Sequence, residues 1–90
     1  MEANTLQKRY IHVAEVCSTN RKECFSAVKS LNDSLFEYQL QRKNKTDSEI
    51  LLLEFQTINS CLAKLLLNKG DSKSISEIKD DCLKKFINFH

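Results

Sequence analysis

The 90-residue chain has no proline, no tryptophan, one glycine and two histidines. Without proline and with a single glycine, there is little from which to build the tight turns that join strands, which argues against sheet architectures. One glycine also rules out the glycine-rich loops that cradle phosphates, which need several positions free of a Cβ. A dominant charge is missing as well. Fourteen Lys and Arg against 12 Asp and Glu leave a net charge of +2, short of the strongly basic balance of a dedicated nucleic-acid binder, so nucleic acid is not expected as the partner. The apolar segments read as too short to span a bilayer, and the opening MEANTLQKRY lacks an apolar signal core. A soluble intracellular protein of the cytoplasm or nucleus, with no membrane span, is the resulting expectation.

What is present is helical periodicity. Hydrophobic residues make up 41% of the chain and charged residues 29%, which suits one small helical domain over residues 1–90 with a modest core. The most completely specified segment runs from Thr46 to Gly70. Thr46 and Glu49 have capping-box spacing, Lys69 sits in the last turn, and Gly70 offers the left-handed closing conformation, so a helix is predicted over about 47–68. Leu51, Phe55, Ile58, Leu62, Leu65 and Leu66 follow one face. Ile50, Leu53, Cys61 and Leu67 widen it, so this helix needs cover on more than one side.

From Asn4 to about Lys43 no residue breaks a helix, and apolar positions recur at helical spacing. The simplest expectation is one long helix over about 4–43, with a break near 18–21 as the alternative. Ser18, Thr19 and Asn20 are poor helix formers, and Asn20 with Glu23 could cap a second helix. The polar turn at Arg42 to Lys45 would fold the long helix back on the central one as an antiparallel hairpin. In that register Leu35 lies beside Phe55, Leu31 beside Ile58 or Asn59, Val28 beside Leu62, and Phe25 beside Leu65. Ser74 and Glu77 form another capping box, predicting a third helix over about 75–88. The fold class is therefore all-α, of coiled-coil or bundle type: a helical hairpin plus a third helix, with a long N-terminal helix.

The four cysteines are Cys17, Cys24, Cys61 and Cys82. Cys61 and Cys82 lie symmetrically about the loop near residue 71 and should be neighbours. On a continuous helix Cys17 and Cys24 share a face about 10.5 Å apart, beyond disulfide reach and too far to share a metal ion. His12 stands five residues before Cys17, which is not a two-ligand helical spacing. No metal site and no cofactor are expected, and the cysteines read as small buried thiols. No nucleophile has a base at helical spacing and no paired acids mark a pocket, so no catalytic residue is assigned and the chain reads as non-enzymatic. His12, His90 and the Asp80-Asp81 pair read as surface groups. Tyr10, Phe25, Phe36, Tyr38 and Phe55 read as core aromatics. The basic pairs Lys8-Arg9, Arg21-Lys22, Arg42-Lys43 and Lys84-Lys85 read as a solvated face.

Length arithmetic supplies the functional expectation. A central helix of about 22 residues covers the first helix only back to about Arg21, leaving Leu6 to Cys17 over. That overhang carries Leu6, Tyr10, Ile11, Val13, Val16 and Cys17, an apolar set that needs cover from another helical protein or a homodimer, or from an internal fold-back. The expected function is a helical protein–protein interaction subunit of a larger assembly, docking through those residues. A nucleic-acid-associated helical protein is one alternative. A small secreted four-helix mediator is another, to which the even cysteine count and the glycosylation triplets Asn32-Asp33-Ser34 and Asn44-Lys45-Thr46 belong.

Overall fold

The computed structural model describes residues 3–68 and 72–87. Among them the chain forms α1 (Ala3–Thr19), α2 (Arg21–Arg42), α3 (Ser48–Leu67) and α4 (Ser72–Phe86), and no strand. The fold class is all-α. The single helix expected over 4–43 is corrected to two helices that meet at Asn20.

The break has a local cause. The hydroxyls of Ser18 and Thr19 both donate back to the Glu15 carbonyl, at 2.8 and 3.0 Å, so side chains compete for the acceptors of the last turn. Asn20 then leaves helical space, with φ −143° and ψ 95°, and its side chain accepts from the Lys22 N–H at 3.2 Å to cap α2. One extended residue thus turns the chain back on itself. The molecule measures 39 × 22 × 19 Å, shorter than the roughly 60 Å of an unbroken forty-residue helix.

Each helix packs on its neighbours in sequence and α1 closes against α4, while α1 and α3 touch less extensively, as helices diagonal in a four-helix arrangement do. The core draws on all four: Leu6, Tyr10, Val13 and Cys17 from α1; Val28, Leu31 and Leu35 from α2; Ile58, Leu62 and Leu65 from α3; Ile75, Cys82 and Phe86 from α4. Tyr10 ties three of them together. Its ring stands edge-on to Phe86 with centroids 5.1 Å apart, and its hydroxyl donates to the Cys61 carbonyl at 3.0 Å. Burial, with the charge of Asp81 added, pushes the Tyr10 phenol well above its ordinary range.

Two helix starts differ from expectation. The Thr46 N–H donates to the Arg42 carbonyl at 3.0 Å and completes the turn after α2, so Asp47 caps α3 instead, accepting from the Glu49 N–H at 2.7 Å. α4 opens at Ser72, which puts the expected cap Ser74 inside the helix. The closing glycine Gly70 and His90 lie outside the described residues.

All four cysteines are paired. Cys61 and Cys82 are neighbours as expected, bridging α3 to α4 with Cα atoms 6.1 Å apart. The exclusion of a Cys17–Cys24 bridge is overturned. The reversal at Asn20 brings their Cα atoms to 4.4 Å, and the disulfide straps α1 to α2 across the break.

Candidate functional site

The residues expected to meet a partner are placed by the fold-back of α1. Leu6, Tyr10, Val13 and Cys17 are buried, and Ile11 and Val16 are half-buried. Their cover is internal: α2 and α4 take the place that a second chain was expected to fill. The overhang needed for docking through them is absent, because it followed from a helix that does not break.

The basic pairs divide. Arg21 is turned to α3, where its guanidinium donates to the carbonyls of Leu65 and Leu66 at 3.0 and 2.8 Å and satisfies acceptors that the last helical turn leaves open. Arg42 reaches the buried Glu54 at 2.6 Å and lies 5.0 Å from the centre of the Tyr38 ring. Burial works against the Arg42 charge, but the hydrogen bond and charge of Glu54, helped by Tyr38, outweigh it and raise the pKa. Lys85 pairs with Asp81 on its own helix. Lys8, Arg9 and His12 line an open groove between α1 and α2, facing Ser30 and Ser34. Two arginines from the four pairs are thus engaged within the fold.

The exposed apolar side chains lie elsewhere. Phe25 is 64% exposed, Phe36 55%, Leu40 56% and Leu52 57%, so Phe25 and Phe36 are corrected from core to surface. Two grooves follow the seam between α2 and α3. One, about 360 Å³, is lined by Phe25, Val28, Lys29 and Asn32 of α2 and by Asn59, Leu62, Ala63 and Leu66 of α3. The other, about 250 Å³, is lined by Phe36, Gln39, Leu40 and Lys43 against Leu51, Leu52 and Phe55. The linings continue one another at helical spacing, from Phe25 through Asn32 and Phe36 to Lys43 and from Leu52 through Phe55 and Asn59 to Leu66. Taken end to end, the two separate grooves span about 27 Å by helical rise from Phe25 to Lys43 and define a trough along the seam, with Asn32 and Asn59 as a polar waist between its apolar ends. Asn32 Oδ1 is buried at that waist with no hydrogen-bond partner among the described residues. The linings include Lys29 and Lys43 and no carboxylate.

This surface escaped the sequence reading because α2 carries two apolar stripes. Cys24, Val28, Leu31 and Leu35 form the buried one, and Phe25, Phe36 and Leu40 the exposed one. A second stripe on a helix with two packed neighbours was the available signal.

α3 bears on the membrane expectation through its length and composition alone. By length and composition Ser48–Leu67 is long and apolar enough to cross a bilayer, although a core helix of a soluble bundle passes the same test. Only 28% of its spanning-length window is buried, so its apolarity exceeds what the core takes up. Part of that excess is the wall of the trough. No group of three His, Cys, Asp or Glu able to hold a metal ion occurs among the described residues. No protein-family model, no curated protein and no solved structure matches the chain.

Proposed function

We propose that the chain is a non-enzymatic helical interaction protein whose docking surface is the trough along the α2–α3 hairpin, and that it works in an oxidising, exported setting. The observation that carries the docking role is the exposed apolar stripe from Phe25 to Leu40 facing Leu52 and Leu66. Patches of this kind on a small protein are rarely left in water without a partner. The occupant is an amphipathic helix of another protein. A two-helix trough accepts a third helix along its length, with anchors at i, i+3, i+4 and i+7 filling the spaces between the flanking side chains. Lys29 and Lys43 at the lining select acidic residues beside those anchors, and they disfavour a second copy of this chain, which would set like charges against each other.

The setting rests on the cysteines. Two bridges that use every cysteine favour the exported four-helix alternative over the intracellular expectation, because structural disulfides are rare where thiols are kept reduced. Binding of fluorescent amphipathic helical peptides tests the docking role directly. Acidic-flanked peptides should bind with affinity that falls with salt, and Phe36→Asp should abolish it without loss of fold. Self-association of the wild type in sedimentation, or peptide binding indifferent to Phe36→Asp, would refute this occupant and this surface.

A further inference from the structure

Two Asn-x-Ser/Thr triplets occur in the chain, and the fold separates them into unlike surroundings. Asn32-Asp33-Ser34 lies in the middle of α2. On a helix, residues two apart point about 200° from each other, so the asparagine amide and the serine hydroxyl cannot be presented together. Asn32 is half-buried with its Oδ1 covered, and the Ser34 hydroxyl is already donating to the Ser30 carbonyl at 3.1 Å. A glycan there would fill the waist of the α2–α3 trough. Asn44-Lys45-Thr46 occupies the turn between α2 and α3, outside any helix. Asn44 is exposed, and the turn is held by its backbone, the N–H groups of Lys45 and Thr46 both donating to the Arg42 carbonyl at 2.9 and 3.0 Å. Asp47 caps α3, so Thr46 is not needed for that role. The turn begins at Lys43, where the α2 side of the trough ends, and a glycan would hang off that end without filling it.

We infer that Asn44 is an N-glycan acceptor and that Asn32 is not. The inference rests on the exported setting proposed above, where the donor is an oligosaccharide on a lipid pyrophosphate. The Asn44 side-chain nitrogen bonds to the anomeric carbon as the bond from that carbon to the pyrophosphate oxygen breaks. The nitrogen loses one proton and the lipid pyrophosphate leaves, with no change of oxidation state.

The test expresses the full chain behind a cleavable export signal in cultured eukaryotic cells. The secreted protein is measured by intact mass and by enzymatic release of N-glycans in isotopically heavy water, which marks the former acceptor as a heavy aspartate, with disulfides mapped on the same sample. One glycan on Asn44 is expected, lost in Asn44→Gln and Thr46→Ala, and kept in Thr46→Ser and Asn32→Gln. A mark on Asn32, or an unmodified chain with Cys17–Cys24 and Cys61–Cys82 both formed, overturns the acceptor assignment and leaves the exported setting standing. Free thiols in the secreted chain overturn the setting and the assignment together.

Discussion

Tyr10 is the residue on which most of the interior converges, because one side chain fills the space beside Phe86 and supplies a donor to a buried carbonyl of α3. Tyr10→Phe keeps the ring and leaves the Cys61 carbonyl without its donor, so a loss of about 1 kcal/mol is expected in urea unfolding at neutral pH. The phenol also sets a pH dependence. Its folded pKa is raised by burial and by Asp81, so above about pH 10 the unfolded chain releases a proton that the folded chain retains. Stability from this group is present below that pH and declines as pH rises beyond it. Unfolding curves across the alkaline range should show a shallower decline in Tyr10→Phe than in wild type; parallel slopes would remove Tyr10 from the account. Glu54 is the second informative residue, a carboxylate in the otherwise apolar buried row of α3. Its partner Arg42 is itself only 16% exposed at the side chain, so Glu54→Ala strands a largely covered charge and should cost about 3 kcal/mol. Arg42→Ala combined with Glu54→Ala should lose less than the two single losses added, which a double-mutant cycle in urea measures.

Among the elements, the α1–α2 corner and the α3–α4 pair are each held by a bridge, but the loops they close differ in length. Cys17 and Cys24 are 7 apart in sequence and Cys61 and Cys82 are 21 apart. In the chain-entropy description the shorter loop contributes about 2.5 kcal/mol and the longer about 3.4 kcal/mol by constraining the unfolded chain. Replacing Cys61 and Cys82 together with Ser should therefore lower the melting temperature more than replacing Cys17 and Cys24. The reverse order would mean that the bridge at Asn20 holds the fold-back itself, beyond its effect on the unfolded chain. Asn20 bears on that corner independently, since its side chain caps α2. The capping interaction and the back-bonding of Ser18 and Thr19 explain why a stretch with no proline or glycine nevertheless ends a helix.

For the whole molecule, interior and surface separate the two sets of apolar residues by experiment. Tyr10→Asp with Val13→Asp places unpaired carboxylates in the core, at several kcal/mol each, comparable with the entire stability of a small domain. That variant should show no cooperative melt. Phe36→Asp with Leu52→Asp changes residues more than half exposed, so the melt should stay within about 0.5 kcal/mol of wild type while helix binding is lost. Circular-dichroism melts beside peptide-binding titrations distinguish the outcomes. A folded Tyr10→Asp, Val13→Asp variant would contradict the closed arrangement of the four helices.

Helix content was legible in the chain because periodicity and breaking residues are local: the stripes of the central and last helices, the weakness at Ser18 to Asn20, and the level pairing of Cys61 with Cys82 follow from spacing alone. Tertiary structure decided what each stripe faces. One extended residue at Asn20 reversed α1, turned Leu6, Tyr10, Val13 and Cys17 from a predicted docking surface into core, and brought Cys17 within reach of Cys24. It also decided which stripe of α2 lies inside, and it placed Glu54 in the buried row of an apolar helix because Arg42 reaches it there. Spacing along a helix records which residues share a face, whereas burial depends on which other faces arrive to cover it.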